Sequence, residues 1–381
     1  MRFSKLFHFV SFYLFIFFLQ STLYSQQIVD TTRLYGVTVD DISKLSAITT
    51  SLQKLCRKPT TRIVFDEWQP ATEYTQAVNN IHNVSFIMGE ILDSYRFSRY
   101  SYKQYVDRVN EYLTAFPTKV DLWEIGNEVN GEWLGPIDSV VKKVDAAYDI
   151  VKGQNKKTEM TLYYNYNCWS NSKNEMFRWV LNNVPTRMRT GLDYVLISYY
   201  EDDCNGYQPN WQRVFDSLHV LFPNSKIGMG ECCTDRSTKK ASYMTRYYTM
   251  HITTPKYIGG YFWWYYREDC VPYTKTLWSV LNAAIGNTPQ ATPVNNNIIL
   301  YNYPNPFNPS TQINYDILLA SEISLKVYDI TGRQVKTLVE KFQQPGHYSV
   351  LFDGSDLASG VYIYKLTSGE KSVVQKMVLM K

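Results

Sequence analysis

Two glutamates end hydrophobic runs in places where a carboxyl could do chemistry. In LWEIGNEVNGEW, Leu122 to Ile125 reads as a buried strand that runs into Asn127-Glu128. Roughly a hundred residues later the run KIGMGECC ends on Glu231. Two carboxyls facing each other across a groove suit cleavage of a glycosidic bond. One protonates the leaving oxygen and later activates water, while the other attacks the anomeric carbon. That division needs a proton on one carboxyl and none on the other. Glu128 is the candidate acid/base, held protonated near neutral pH by burial and nearby negative charge. Glu231 is the candidate nucleophile, and Arg62 the fixed cation that would keep it ionised. Tyr200 has a hydroxyl to donate to the same carboxylate, and Asn127 an amide suited to a sugar hydroxyl. A lone strand-end carboxylate is more often a cap or an ion-pair partner, so the reading rests on the pair with these neighbours.

Such a pair needs a frame, and the chain supplies one. Apolar runs at 33–40, 61–66, 83–90, 119–125, 159–165, 193–200, 226–231 and 258–265 read as strands. Helical spacing follows each of them, at 42–57, 71–80, 100–115, 136–153, 174–183, 209–222, 237–250 and 275–285. In 136–153, for example, Ile137, Val140, Val141, Val144, Ala147 and Val151 share one face. The strands alternate poorly, as strands covered on both faces do. Eight strand–helix units in about 255 residues predict a (β/α)8 TIM barrel. The rival, an open doubly wound sheet, wants a Gly-rich phosphate turn after an early strand, and none is present.

In such a barrel the carboxyl ends of the strands line one mouth. Taken in order, those ends carry Asp40 and Asp41; Asp66 and Trp68; Glu90; Asn127, Glu128 and Trp133; Tyr164, Asn165 and Trp169; Tyr199, Tyr200, Glu201 and Asp202; Glu231; and Trp263, Trp264, Tyr265 and Tyr266. The fourth and seventh strands lie across the barrel from one another, which sets Glu128 opposite Glu231. Aromatics crowd this mouth, and their flat faces suit stacking on sugar rings. Trp68, Trp133, Tyr164, Trp169, Trp263 and Trp264 are the candidate substrate-binding residues. Strand parity favours Trp264 over Trp263 as the floor beneath the ring, provided the eighth strand has no bulge.

Composition agrees with this reading. The chain has 381 residues, 45% apolar, with 32 Tyr, 18 Phe and 9 Trp. Its formal charge of +4 is spread without long basic runs, which argues against nucleic acid. Residues 1–26 read as a signal peptide: Arg2 and Lys5, then a short apolar run, then Ser25. Export permits disulfides among the six cysteines, with pairing left open. No CxxC pair or histidine cluster calls for zinc, and no cofactor or metal is expected. Residues 286–298 form a linker rich in Pro, Asn and Thr. From 299 to 381 the period changes to two, with Thr-Gly, Pro-Gly and Ser-Gly turns, as in a small immunoglobulin-like sandwich. The chain therefore divides into a signal peptide at 1–26, a barrel at 27–285, a linker at 286–298 and an all-β domain at 299–381.

Two resemblances can now be named. Asn127-Glu128 after the fourth strand, Glu231 after the seventh, Arg62 on the second, Tyr200 after the sixth and a Trp on the eighth resemble the clan A retaining glycoside hydrolases. The resemblance covers about residues 30–285. It implies a covalent glycosyl-enzyme intermediate and no metal. Ser198 stands where many members have His, and Val129 where Pro is common, so the resemblance names no substrate. The strings NYPNPFNPST (302–311), VYDITGRQVKTL (327–338) and LASGVYIYKL (357–366) resemble the C-terminal sorting domain of the type IX secretion system. That implies export to the medium or the outer-membrane surface, with the secretion machinery as partner.

The expectation is thus a secreted, monomeric retaining hydrolase, endo-acting on a β-linked polysaccharide, with β-glucan or β-mannan as first guesses. The mouth aromatics imply several subsites and the short barrel loops an open cleft. One alternative is an inactive carbohydrate-binding surface protein on the same barrel. Another is a metal hydrolase built on Asp40, Asp66 or Glu90. Retention calls for a carboxyl separation of about 5–5.5 Å, against roughly 6.5–9.5 Å for inversion.

Overall fold

The apolar runs form β1 (Leu34–Val39), β2 (Thr60–Val64), β3 (Phe86–Glu90), β4 (Leu122–Glu124), β5 (Thr158–Tyr163), β6 (Tyr194–Tyr199), β7 (Lys226–Cys232) and β8 (Tyr257–Trp263) in a computed structural model. It describes residues 32–166, 168–288, 300–317, 321–343, 346–369 and 371–381. Each strand pairs in parallel with the next, and β8 pairs with β1, closing the barrel. The helical spacings become α1 (Leu45–Gln53), α2 (Thr75–His82), α3 (Tyr102–Ala115), α4 (Ile137–Gly153), α5 (Met176–Asn183), α6 (Thr186–Gly191), α7 (Trp211–Leu221), α8 (Lys240–Tyr248), α9 (Tyr266–Cys270) and α10 (Thr276–Gly286). The eight-stranded barrel with surrounding helices is therefore the fold expected from periodicity. α6 and α9 were not expected, because six and five residues are too few to show a period. The same holds for the 3-10 turns that follow β3, β4, β5 and β6.

Two clusters build the core. One lies between the strands and the helices, with Ile63, Phe65, Trp123, Ile197, Phe215 and Trp263 among its members. The other joins Met88, Leu122, Tyr194, Leu196, Ile258 and Phe262 from β3, β4, β6 and β8. It fills the inside of the barrel, as layered barrel interiors do. β8 has an irregularity that matters for the mouth. Gly259, Gly260 and Tyr261 all have positive φ, and a Cβ at Gly260 would come within 1.7 Å of the Met229 carbonyl oxygen. The pairing with β7 shifts register between Ile227 and Met229. Only glycine tolerates so close an approach at φ +111°, and a bulge of this kind re-aims the side chains that follow.

A disulfide joins Cys168, after β5, to Cys204, after β6. Cys56, Cys232, Cys233 and Cys270 are free thiols. Beyond the barrel come β9 (Leu300–Tyr303), β10 (Ser310–Ile317), β11 (Ser321–Asp329), β12 (Gln334–Gln343), β13 (Gly346–Asp353), β14 (Gly360–Ser368) and β15 (Lys371–Leu379). They form a three-stranded sheet, β13-β10-β9, and a four-stranded sheet, β12-β11-β14-β15. Alternate residues of both sheets, such as Ile313, Tyr315, Leu325, Val327, Tyr364 and Leu366, share one core. The immunoglobulin-like sandwich of the sequence reading thus appears at the coarser level of two antiparallel sheets. The expected signal peptide at 1–26 lies outside the described residues, as does the linker beyond Thr288.

Candidate active site

β2 carries Arg62 into the barrel, where it is 1% exposed. Its Nε and Nη2 donate to the two oxygens of Glu124 at 2.7 and 3.2 Å, a fork on a carboxylate. Nη1 donates to Glu231 Oε2 at 2.5 Å. Nη2 also lies 3.0 Å from Glu90 Oε2, at an angle that makes no hydrogen bond, so the contact is an ion pair alone. Burial opposes the guanidinium charge, but Glu124, Glu90 and Glu231 outweigh it and hold Arg62 firmly protonated. The other oxygen of Glu231 accepts the Tyr200 hydroxyl. Burial holds the Glu231 carboxyl above its ordinary range, with Arg62 and the Tyr200 hydrogen bond pulling against it towards the ionised form.

Glu128 sits in different surroundings. It follows β4 in a left-handed backbone conformation, φ +49°. For a side chain with a Cβ this costs about 1–3 kcal/mol and persists only where the surroundings fix it. Ser198 Oγ donates to its Oε1 at 2.5 Å and Ser94 Oγ to its Oε2 at 2.9 Å. Trp133 Nε1 in turn donates to Ser94 Oγ at 3.0 Å. Both partners of the carboxyl are neutral, and among the described residues no cation pairs with it. Burial first, and the charge of Glu231 second, push Glu128 up to about 8, against the pull of the two hydroxyls. Asn127 ties the two halves together: its Oδ1 accepts the Ser94 N–H at 3.0 Å and its Nδ2 donates to Glu124 at 3.2 Å.

Further carboxyls were not legible as part of this site. Glu124 and Glu159 lie inside apolar strands, and the Thr161 hydroxyl stands 2.7 Å from one and 3.1 Å from the other. Burial pushes Glu90 and Glu159 well above the usual carboxylate range. For Glu124 and Glu159 the residue type alone, an acid within a buried strand, was the available signal, whereas Glu90 was read at the end of the third strand. The remaining strand-end acids serve the scaffold. Asp40 and Asp41 pair with Arg267, Asp66 accepts the Tyr74 hydroxyl, and Glu201 pairs with Arg246 and Tyr247. Asp202 takes Thr234 and Lys239.

The six candidate aromatics divide. Trp264 lies over Arg62, 5.7 Å from ring centre to guanidinium carbon. Trp133 reaches the acid through Ser94 and packs against Tyr95 and Tyr163. Trp169 is half-buried next to the disulfide. Trp68 is 54% exposed and stacks on Tyr100. The other two offer no face to a ligand, which corrects the sequence reading. Trp263 is fully buried and gives its indole N–H to Asp269. Tyr164 is buried against Tyr199 and Trp211. Tyr163, the last residue of β5, takes the place beside Trp133, with its hydroxyl pushed up by burial and by the charges of Asp203 and Glu128.

Residues 302–380 match the family model of the secretion system C-terminal sorting domain. The chain is a (β/α)8-like barrel fused to a type IX sorting domain. That domain addresses it to the cell surface and implies contact with the secretion machinery. Among solved structures, the chain is similar to the endo-beta-1,4-mannanase from Thermotoga petrophila, at 10% identity and TM-score 0.42, covering 91% of this chain and 97% of that one. It is similar also to a GH30 endoxylanase from Clostridium papyrosolvens, at 11% identity and TM-score 0.47, covering 86% and 95%. Gas2p of Saccharomyces cerevisiae, in complex with laminaritriose and laminaritetraose, aligns at 12% identity and TM-score 0.45, over 71% and 66%. No curated protein matches the sequence.

Proposed function

We propose that the protein is a secreted retaining glycoside hydrolase, endo-acting on a β-linked polysaccharide. The observation that carries the reading is the unequal environment of two neighbouring carboxyls. Glu128 is buried, has only neutral donors and is pushed up to about 8. Glu231 is gripped by the Arg62 guanidinium and the Tyr200 hydroxyl. In this reading the proton rests on Glu128 and the charge on Glu231, the division that an acid and a nucleophile require.

In this reading Glu231 attacks the anomeric carbon as Glu128 Oε protonates the departing glycosidic oxygen. The glycosyl ester that forms is then opened by water, whose proton returns to Glu128. When Glu231 spends its charge on the new bond, Glu128 loses its second cause of elevation. Its pKa falls at the moment it must act as a base. Arg62, anchored by Glu124, holds the attacking oxygen in place, and Trp264 lies beneath the reacting ring. Trp133, Trp169 and Trp68 extend the apolar surface along the mouth. β-Glucan and β-mannan are the first substrates to try.

The test is Glu231→Ala with an activated aryl glycoside. The expected result is a fall of at least about a thousandfold in turnover, partly restored by azide with release of an α-glycosyl azide. Wild-type turnover in E231A would remove Glu231 from the mechanism. A wild-type protein that binds sugar but never turns over would instead favour the surface-binding alternative.

A further inference from the structure

Trp68 combines two features that packing does not explain. It has φ +62°, a strained conformation for a bulky residue. It is also 54% exposed, so burial does not reward the strain. The neighbours nevertheless fix it. Its N–H donates to the Tyr100 hydroxyl at 2.7 Å, and its indole lies parallel to the buried Tyr100 ring at 4.1 Å and 9°. The adjacent Glu67 is gripped by Arg99 at 3.0 Å and Arg96 at 3.4 Å. One face of the indole is thus packed and the other presented to solvent. Ser94, at the start of the segment that ends on Tyr100, is the residue that touches Glu128.

A second aromatic pair stands on the loops after β5 and β6. Tyr166 and Tyr207 are 48% and 42% exposed, with ring centres 5.8 Å apart. The Cys168–Cys204 disulfide joins their two loops. The Tyr207 N–H bonds to the Cys204 carbonyl at 3.0 Å, and the Tyr207 carbonyl accepts the Tyr199 hydroxyl. The same turn follows directly on Ser198 and Tyr200, which bond Glu128 and Glu231, so it borders the cleft.

β2 and β6 are opposite in a ring of eight. We propose that Trp68 on one rim and the disulfide-braced Tyr166–Tyr207 pair on the other are remote subsites. They would bind the apolar ring faces of one neutral polysaccharide chain laid across Glu128 and Glu231. Strands about 4.8 Å apart and tilted about 36° close into a ring roughly 15 Å across. A chain touching both rims is therefore a polymer or a long oligosaccharide, and a disaccharide is too short. This rests on the carbohydrate reading of the mouth and deepens it from a single bond cleaved to a chain held at both ends.

The test is affinity electrophoresis of the full mature chain through gels containing mixed-linkage β-glucan, glucomannan or arabinoxylan. All variants carry E231A, so that no polymer is cut during the run. The parent is expected to be retarded by at least one polymer. Trp68→Ala and Tyr207→Ala should each weaken Kd about fivefold or more, the loss of one stacked ring. Cys168→Ser with Cys204→Ser should act like Tyr207→Ala. Far-UV circular dichroism and a cooperative thermal transition should be kept in every case, which separates a lost ring from a lost fold. Unchanged retardation in W68A and Y207A, or no retardation of the parent by any of the three, overturns the proposal. Turnover does not enter this readout. Retardation of the E231A parent beside an inactive wild type would therefore sink the hydrolase reading and leave the subsites standing.

Discussion

In the proposed mechanism Glu128 keeps its proton because its carboxyl is buried among neutral donors. A carboxyl with a cation nearby would ionise, whereas this one has two serine hydroxyls and a neighbouring negative charge. Loss of the Glu128 proton should switch off leaving-group protonation, so the alkaline limb of kcat/KM is expected near pH 8. Ser198→Ala removes a donor that favours the ionised form. Its alkaline limb should therefore move up, and an S198A profile that moves down or stays put contradicts the assignment. The folded-state pKa of Glu128 lies above the unfolded one, so its stabilising contribution is complete below about pH 4.5 and is lost as pH rises through about 8. Glu128→Gln removes that titration. Against wild type, E128Q should gain melting temperature steadily between pH 5 and pH 9, and a constant difference would show that Glu128 titrates elsewhere. Arg62 is the converse case, a buried cation fixed by Glu124. Glu124→Gln should cost about 3 kcal/mol or more in urea unfolding, the penalty of a broken buried ion pair. It should also lower kcat, because Arg62 loses the fork that aims its third nitrogen at Glu231.

The strands and helices were legible because apolar runs and helical periods survive in the sequence wherever both faces of a strand are covered. What failed was parity. Parity favours Trp264 over Trp263 only for a strand without a bulge, and Gly259, Gly260 and Tyr261 bend β8 before Trp263 is reached, so alternation is no guide there. Tyr164 was misplaced for a simpler reason: β5 ends two residues before the expected end at 165, and Tyr163 stands beside Trp133. The buried acids Glu124 and Glu159 were hidden, and the ion pair of Glu90 with Arg62 with them, because nothing in a strand's own sequence shows which cation it will meet. Gly260 gives a direct check on the bent strand. A methyl group there meets the Met229 carbonyl oxygen at 1.7 Å and fixes an unfavourable φ. Gly260→Ala should destabilise by at least about 2 kcal/mol, read as a lower urea midpoint. A G260A protein as stable as wild type would mean that β8 is straight.

The molecule joins a barrel with a candidate site to a domain that carries an address. Turn residues and alternation showed a small all-β domain, while the address was readable only because the strings at 302–311, 327–338 and 357–366 resemble a known sorting domain, whose family match covers the same stretch. Deleting residues 302–380 should leave the barrel folded but keep it from reaching the cell surface, as followed by surface proteolysis and cell fractionation. Surface delivery of the truncated chain would show that the address lies elsewhere. The chemistry itself is decided by one spectrum. Proton NMR of the reducing end formed in the first minutes of cleavage of a β-linked polysaccharide reports the configuration before mutarotation. Opposed carboxyls acting by double displacement give the β-anomer first. The α-anomer appearing first would mean direct displacement by water, and Glu231 would then be a base that never bonds to sugar.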